Sequence, residues 1–356
     1  MSVRRWPVSL FSLITFFVAL CGTANFILAA DENTITFIVT SDSHYKSHKD
    51  IEMNDRNKLT IERMNVIQSQ TWPDKLGGGP IGKPLGVLAL GDLVDDGDKP
   101  NATEFQWKQF ASQFGLDGTD GLLKYPVFEG WGNHDGPPVG KERFGFSVQA
   151  QLKARNLERK KAGRISNLSD NGLHYSWDWG GIHFVQTNIY PADKQHVKIR
   201  YSLPWHDPQG SLAFLKEDLK TNVGDSGRPV IIMSHCGVDT DWWHPEDWAA
   251  LYTALKPYNV ITYFYGHSGT GVRKWAPEGE QPPLDVVNTG QTAKGFFVVE
   301  ISENKMRLAY QTKKPVKLED AGKTEEPSKV AAPLEWEWKY PLQKTFTRSK
   351  QPATGH

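Results

Sequence analysis

Short apolar runs alternate with longer amphipathic stretches from Thr34 to Thr312. The runs TITFIVT (34–40), GVLAL (86–90), YPVFE (125–129), IHFVQT (182–187), PVIIM (229–233) and NVITYFY (259–265) are each the length of a buried strand and rich in β-branched or aromatic residues. Helical spacing falls between them. Leu59, Met64 and Ile67 predict one helix face, and Phe105, Phe110 and Phe114 a second. Leu212, Leu215 and Leu219 predict a third, and Trp248, Leu251, Tyr252 and Leu255 a fourth. Strands alternating with helices predict an α/β fold whose helices cover the sheets. FFVVEIS (296–302) and KMRLAYQT (305–312), joined by ENK, predict a closing antiparallel hairpin.

The pattern changes at both ends. Arg4 and Arg5 precede an apolar run from Val8 to Leu20, then small residues up to Ala30 and the polar DENT. This is the layout of an export signal over residues 1–30, with Ala24 and Ala30 as cleavage points. If the segment is retained, it becomes a membrane anchor. The expected destination is outside the cytoplasm: periplasmic, extracellular or membrane-anchored. Residues 31–312 then form one domain. After it, the stretch from Lys313 is dominated by Lys, Glu, Pro and Ala, with little to bury. Residues 313–356 are expected to be a linker and tail, with LEWEWKYPL (334–342) alternating as an edge strand does.

Composition adds three limits. Lys plus Arg and Asp plus Glu are 41 each, so the balanced charge gives no specific nucleic-acid signal. Two cysteines occur, and past the signal only Cys236 remains, so the mature chain has no internal disulfide. Thirteen tryptophans point to an aromatic core or an aromatic-lined pocket.

The chemistry appears at the ends of the predicted strands. SDSH after the first brings Asp42 and His44, and GDLVDDGD after the second brings Asp92. GWGNHDG follows the third with Asn133, His134 and Asp135; SHCG and GHSG bring His235 and His267. In α/β sheets, ligand sites lie beyond the carboxyl ends of the strands, so these residues are expected to converge. Oxygen and imidazole donors without thiolates suit divalent ions of the zinc, manganese or iron class.

Asp42-Ser43-His44, Gly91-Asp92, Gly132-Asn133-His134-Asp135, His235 and Gly266-His267 resemble, in order, the motifs of the calcineurin-like metallophosphoesterases. The resemblance spans residues 34 to 312. It implies a two-sheet β-sandwich flanked by helices and a centre of one or two divalent metal ions. Such a centre hydrolyses phosphate mono- or diesters by attack of a metal-bound hydroxide. Carried over, Asp42 and His44 bind the first ion and Asp92 bridges. Asn133, His235 and His267 complete the second. His134 protonates the leaving group, and Asp135 orients its ring. The expected partner is an anionic phosphoester.

One position departs from the pattern. The usual G-H-x-H motif ends in a second histidine where this chain has Gly269. Water, another side chain (His48, His206 or His244) or a vacancy would then complete the first site. A catalytically inactive member acting as a binding or interaction module is the competing reading. Ser268 lacks the G-x-S-x-G context of a nucleophile, because Thr270 stands at the fifth position. Lys141–Arg164 carries eight Lys/Arg against two Glu and is a candidate anion-attracting surface; Trp131, Trp242, Trp243 and His244 are candidate pocket walls.

Overall fold

Phe37 and Ile38 point to opposite faces of the first strand, and both are fully buried. That two-sided burial is what a central strand between a second sheet and a helical layer requires. In the computed structural model, which describes residues 34–137, 146–196, 206–238, 244–314 and 334–348, the first strand, β1 (Ile35–Thr40), is central to a six-stranded sheet. Its order is β13-β12-β11-β1-β2-β3, where β2 is Pro84–Leu90, β3 is Val127–Gly130, β11 is Gly295–Ser302, β12 is Lys305–Lys313 and β13 is Trp336–Thr345. The second sheet has seven strands in the order β4-β5-β6-β7-β8-β10-β9. These are β4 (Asn167–Leu168), β5 (Tyr175–Trp179), β6 (Ile182–Gln186), β7 (Val230–Met233), β8 (Val260–Tyr265), β9 (Thr270–Trp275) and β10 (Leu284–Thr289). The expected signal segment, residues 1–30, lies outside the described residues. No helix among the described residues is long and apolar enough to cross a membrane.

The sheets pack face to face through one apolar layer. Phe37, Val39, Leu88, Leu90 and Phe128 of the first meet Trp177, Phe184, Ile231, Met233 and Phe264 of the second. Phe37 meets the ring of Phe184 edge-on, with centroids 5.3 Å apart, and Phe128 stacks on Trp177 at 4.5 Å. The outer faces carry a second core with the helices: α1 (Glu52–Asn65), α2 (Thr103–Phe114), α3 (Val148–Lys161), α4 (Ser211–Asn222) and α5 (Pro245–Leu255). This is the helix-flanked two-sheet sandwich that the motifs imply.

Two helix faces are rotated from the expected ones. In α1 the buried residues are Asn54, Asn57, Thr60, Ile61 and Met64, and Leu59 is 43% exposed. The polar members are buried because they tie loops: Asn57 Nδ2 donates to the Ser43 carbonyl, and Asn54 Nδ2 to that of Lys46. In α2, Trp107 takes the inward position, and Phe105 is 42% exposed. Leu212, Leu215 and Leu219 of α4 face inward as their spacing predicts.

Strand direction positions the site. β1, β2 and β3 run parallel, as do β6, β7 and β8. Each parallel set therefore delivers its carboxyl ends to one edge. β11 returns antiparallel to β1, and β12 forms a hairpin with it, Ser302 opposite Lys305.

Candidate metal centre

Six predicted donors leave five of these strand ends, and the structure brings them into one cluster. Asp42 and His44 follow β1, Asp92 follows β2, Asn133 follows β3, His235 follows β7 and His267 follows β8. Asp42, Asp92 and His235 form a buried set whose ligand atoms lie within 4.8 Å of one another; His44, Asp92 and His134 form an overlapping one. Asp92 is common to both. Its Oδ2 lies 3.1 Å from His235 Nε2 and 3.6 Å from His44 Nε2. Asn133 Oδ1 lies 3.1 Å from His235 Nε2. The His267 ring is 5.2 Å from that of His235, centroid to centroid, and its backbone N–H donates to Asp42 Oδ2 at 2.9 Å.

Local backbone geometry explains the residues around these donors. Asp42, His44, Asp92 and His267 all have positive φ, between 41° and 69°. Non-glycine residues avoid this region, and where it occurs it concentrates at functional sites. Glycines allow the loops to approach. A Cβ on Gly132 would fall 2.3 Å from Asp92 Oδ1, and one on Gly266 would fall 2.0 Å from Ser41 Oγ. The glycines of the G-N-H-D and G-H motifs thus clear space for the side chains they face.

Second contacts fix the imidazoles. His235 Nδ1 sits 2.9 Å from the Leu90 carbonyl oxygen, which only an N–H satisfies, so Nε2 is aimed at Asp92 and Asn133. His134 Nδ1 likewise sits 2.8 Å from the Asp95 carbonyl oxygen, and its backbone N–H donates to Asp92 Oδ1 at 2.8 Å. Asp95 also places its carboxylate 3.4 Å from His44 Nδ1 and 2.5 Å from Lys46 Nζ. Asp135 does not take the ring-orienting role expected of it. Its carboxylate accepts from the backbone N–H groups of Leu93, Val94 and Gly132, so it clamps the β2 and β3 loops together. Asp95 is the residue that orients the rings. The acidic loop in GDLVDDGD was the available signal, with Asp95 and Asp96 as its candidates for a supporting role, but nothing in the sequence separated Asp95 from Asp96.

The donor set fits divalent cations. Burial would raise Asp92, yet His235 and His134 hold it well below the usual carboxylate range; burial is likewise outweighed at Asp42 by His44 and His235. Burial would lower His44 and His235, but Asp42 and Asp95 raise the first to about 10, and Asp92 raises the second to about 9. His267, buried and beside His235, is held down at about 4. These buried carboxylates thus stay ionised by demanding cationic neighbours, a demand that a metal ion meets directly.

Gly269 (φ 138°) has no atom of the described residues within 4 Å of where a Cβ would stand, so among them the space next to the missing side chain is open. Of the histidines considered as substitutes, His48 is exposed. His244 caps α5 and stacks on His196. His206 is buried and lines a cavity of about 290 Å³ with Asn133, His134, Asp95, Asp96 and Lys99. Of the three substitutes named from the sequence, His206 is the one that lines a cavity with Asn133 and His134.

Other expectations change. Trp131 is fully buried core, and Trp242 and Trp243 lie outside the described residues. Arg155 and Arg159 of the basic stretch turn inward onto Glu129, so they are not an anion-attracting surface. Ser268 Oγ accepts from Asn288 Nδ2 at 2.9 Å. A larger cavity of about 570 Å³, beside His174 and Asp218, contains none of the predicted donors.

A two-sheet sandwich carrying Asp, His and Asn donors at converging strand ends is the architecture of the metallophosphoesterases. The calcineurin-like phosphoesterase family model matches residues 35–270, and the chain belongs to that family. No curated protein sequence matches it. Among solved structures it is similar to GAP50, the anchor in the inner membrane complex of Plasmodium, at 12% identity over 89% of this chain and 90% of that one, TM-score 0.48. It is also similar to a 5'-nucleotidase precursor from Thermus thermophilus, at 15% identity over 76% and 51%, TM-score 0.35. The third is Vps29 of Chaetomium thermophilum, at 8% identity over 88% and 100%, TM-score 0.33. The chain spans about half the length of the Thermus nucleotidase.

Proposed function

We propose that this protein is an exported, metal-dependent phosphoesterase. The observation that carries the reading is the exposed ring of His134, held by Asp95 at the mouth of the 290 Å³ cavity beside the buried donor cluster. Asp42, His44 and Asp92 would hold one ion; Asp92, Asn133, His235 and His267 would hold the other. Bound divalent ions supply the charge that polarises a phosphoryl oxygen and lowers the pKa of water. The chain's own residues do the rest. Asp92, reached from both sides, fixes the spacing of the two halves. Because Nδ1 of His134 is bound to a carbonyl, Nε2 is the atom left to give a proton to the departing alkoxide. Two of the three wall carboxylates are paired, Asp95 with Lys46 and Asp96 with Lys99, which lessens their repulsion of an anion. Export rests on Arg4, Arg5 and the apolar run that follows them.

The test is hydrolysis of aryl phosphate mono- and diesters by metal-loaded full chain. His134→Ala is expected to lower kcat by about 10²–10⁴-fold, and Asp92→Asn to remove activity, both with circular dichroism unchanged. Wild type that holds metal yet turns over no ester on the panel would overturn the proposal. The open space at Gly269 would then favour a binding module.

A further inference from the structure

Four of the proposed donors stand two residues past the end of their strand: Asp42 after Thr40, Asp92 after Leu90, His235 after Met233 and His267 after Tyr265. Asn188 holds that same place after Gln186, the last residue of β6. It shares the backbone of three of them as well, with φ at 63° against 51° for Asp42 and Asp92 and 69° for His267. Asparagine is among the few non-glycine residues that accept this conformation readily. Unlike the donors, Asn188 has its polar groups committed within the protein. Its N–H donates to Gln186 Oε1 at 3.0 Å, and its carbonyl accepts from His235 N–H at 2.6 Å. Its Oδ1 accepts from Trp131 N–H at 3.0 Å, while Nδ2 donates to the Leu173 carbonyl at 2.9 Å and faces His174 Nδ1 at 3.0 Å.

We propose, on the reading that Asn133, His235 and His267 hold one ion, that Asn188 is the positioning residue that sets two of those donors against each other. Asn133 leaves the first sheet and His235 the second, so no strand ladder fixes their separation. Asn188 spans the gap. Its Oδ1 holds the peptide of Trp131, two residues before Asn133, and its carbonyl holds the peptide of His235 itself. The outcome is Asn133 Oδ1 at 3.1 Å from His235 Nε2. Neighbouring ligands at about 2.0–2.2 Å from one tetrahedral zinc ion lie about 3.4 Å apart, so the two donors already stand near a shared-ion spacing. The Asn188 amide is itself held one way round. His174 is buried, and burial lowers it to about 4, so its ring is neutral. Its Nε2 lies 3.2 Å from the Gln209 carbonyl oxygen, which only an N–H satisfies, leaving Nδ1 to accept from Asn188 Nδ2. That turns Oδ1 toward Trp131.

The test is a zinc competition titration on the full chain, with circular dichroism and urea melts of the metal-free protein alongside. Asn188→Gly accepts the left-handed backbone and keeps the carbonyl for His235, but it loses the tie to Trp131. It is expected to hold zinc about 10–100-fold more weakly than wild type. Asn188→Asp keeps an acceptor for Trp131 N–H and gives up the donor to Leu173. It is expected to lose stability while keeping at least wild-type zinc affinity. Zinc affinity lost as far in Asn188→Asp as in Asn188→Gly overturns the positioning role. So do two variants that are less stable yet bind zinc as wild type does, the pattern of a residue that serves packing alone. A measurement without variants stands beside these. In metal-free wild type the Trp131 and His235 amide protons are expected to exchange slowly with solvent, and rapid exchange of either overturns the tie. A wild type that holds no zinc overturns the centre and this role together, whereas zinc held equally by wild type and Asn188→Gly overturns the role alone. None of these readouts depends on ester hydrolysis.

Discussion

Asp92 faces both halves of the centre while its own backbone is in the left-handed region. Holding such a conformation in a non-glycine residue costs about 1–3 kcal/mol. Around it, protons and a bound metal ion would compete for the same atoms. Below about pH 9 both His44 and His235 carry protons, because neighbouring carboxylates outweigh their burial and raise them to about 10 and about 9. A metal ion must displace those protons, so affinity rises with pH throughout the range in which both are bound. The expected slope between pH 6 and 8 is about tenfold per pH unit for each proton released. His267 adds nothing to the slope, since it is already neutral there. A competition titration with a coloured chelator at pH 6, 7 and 8 measures this. A zinc affinity that does not change over that range would contradict the competition between protons and metal.

At the scale of elements, legibility followed the spacing of the signal. The six long apolar runs, the β11–β12 hairpin and the donors at the strand ends were readable, because a strand buried on both faces has to be almost continuously apolar. β4, β5, β9 and β10 were not: Arg273 and Lys274 make β9 mixed and exposed in its middle, and β4 has only two residues. Asp95 escaped separation from its acidic neighbours because its role depends on the turn after β2, not on residue type. Charge counts likewise do not say which way a side chain points, and two of the eight basic residues between Lys141 and Arg164 turn inward. Glu129 of β3 is fully buried, and Arg155 and Arg159 of α3 reach it, with Arg159 Nε also donating to the Val127 carbonyl at 3.0 Å. Although burial would raise it, the two guanidinium groups hold Glu129 below the ordinary carboxylate range. Removing one partner of such a group strands buried charge. Glu129→Ala is therefore expected to lower unfolding free energy by about 3–5 kcal/mol, read from urea melts. A change under about 1 kcal/mol would show that the α3–β3 contact rests on packing alone.

For the whole molecule, the open question is what closes the first sheet. β12 would present a long unpaired edge, the kind of surface that recruits other chains. β13 covers it in antiparallel register, from Lys313 opposite Trp336 to Lys305 opposite Thr345. The strand is only half-buried, but its tryptophans fasten it. Trp338 stacks on Trp72 with centroids 6.1 Å apart, and Trp336 takes the Arg63 guanidinium at 5.5 Å and the Lys313 ammonium at 5.6 Å. β13 also lies three strands from β1, so it is remote from the donors that β1 delivers. A chain ending at Lys314 should therefore lose stability and solubility without losing whatever capacity the full chain has to bind metal. The melting temperature is expected to fall by about 2–4 °C for each kcal/mol that the strand contributes, and light scattering should show association through the bared β12 edge. Zinc per chain should stay as in the full-length protein. A truncated chain that melts with wild type and stays monodisperse would mean that β13 adds nothing to the fold. Loss of zinc on truncation would mean that the edge strand and the centre are coupled through the sheet.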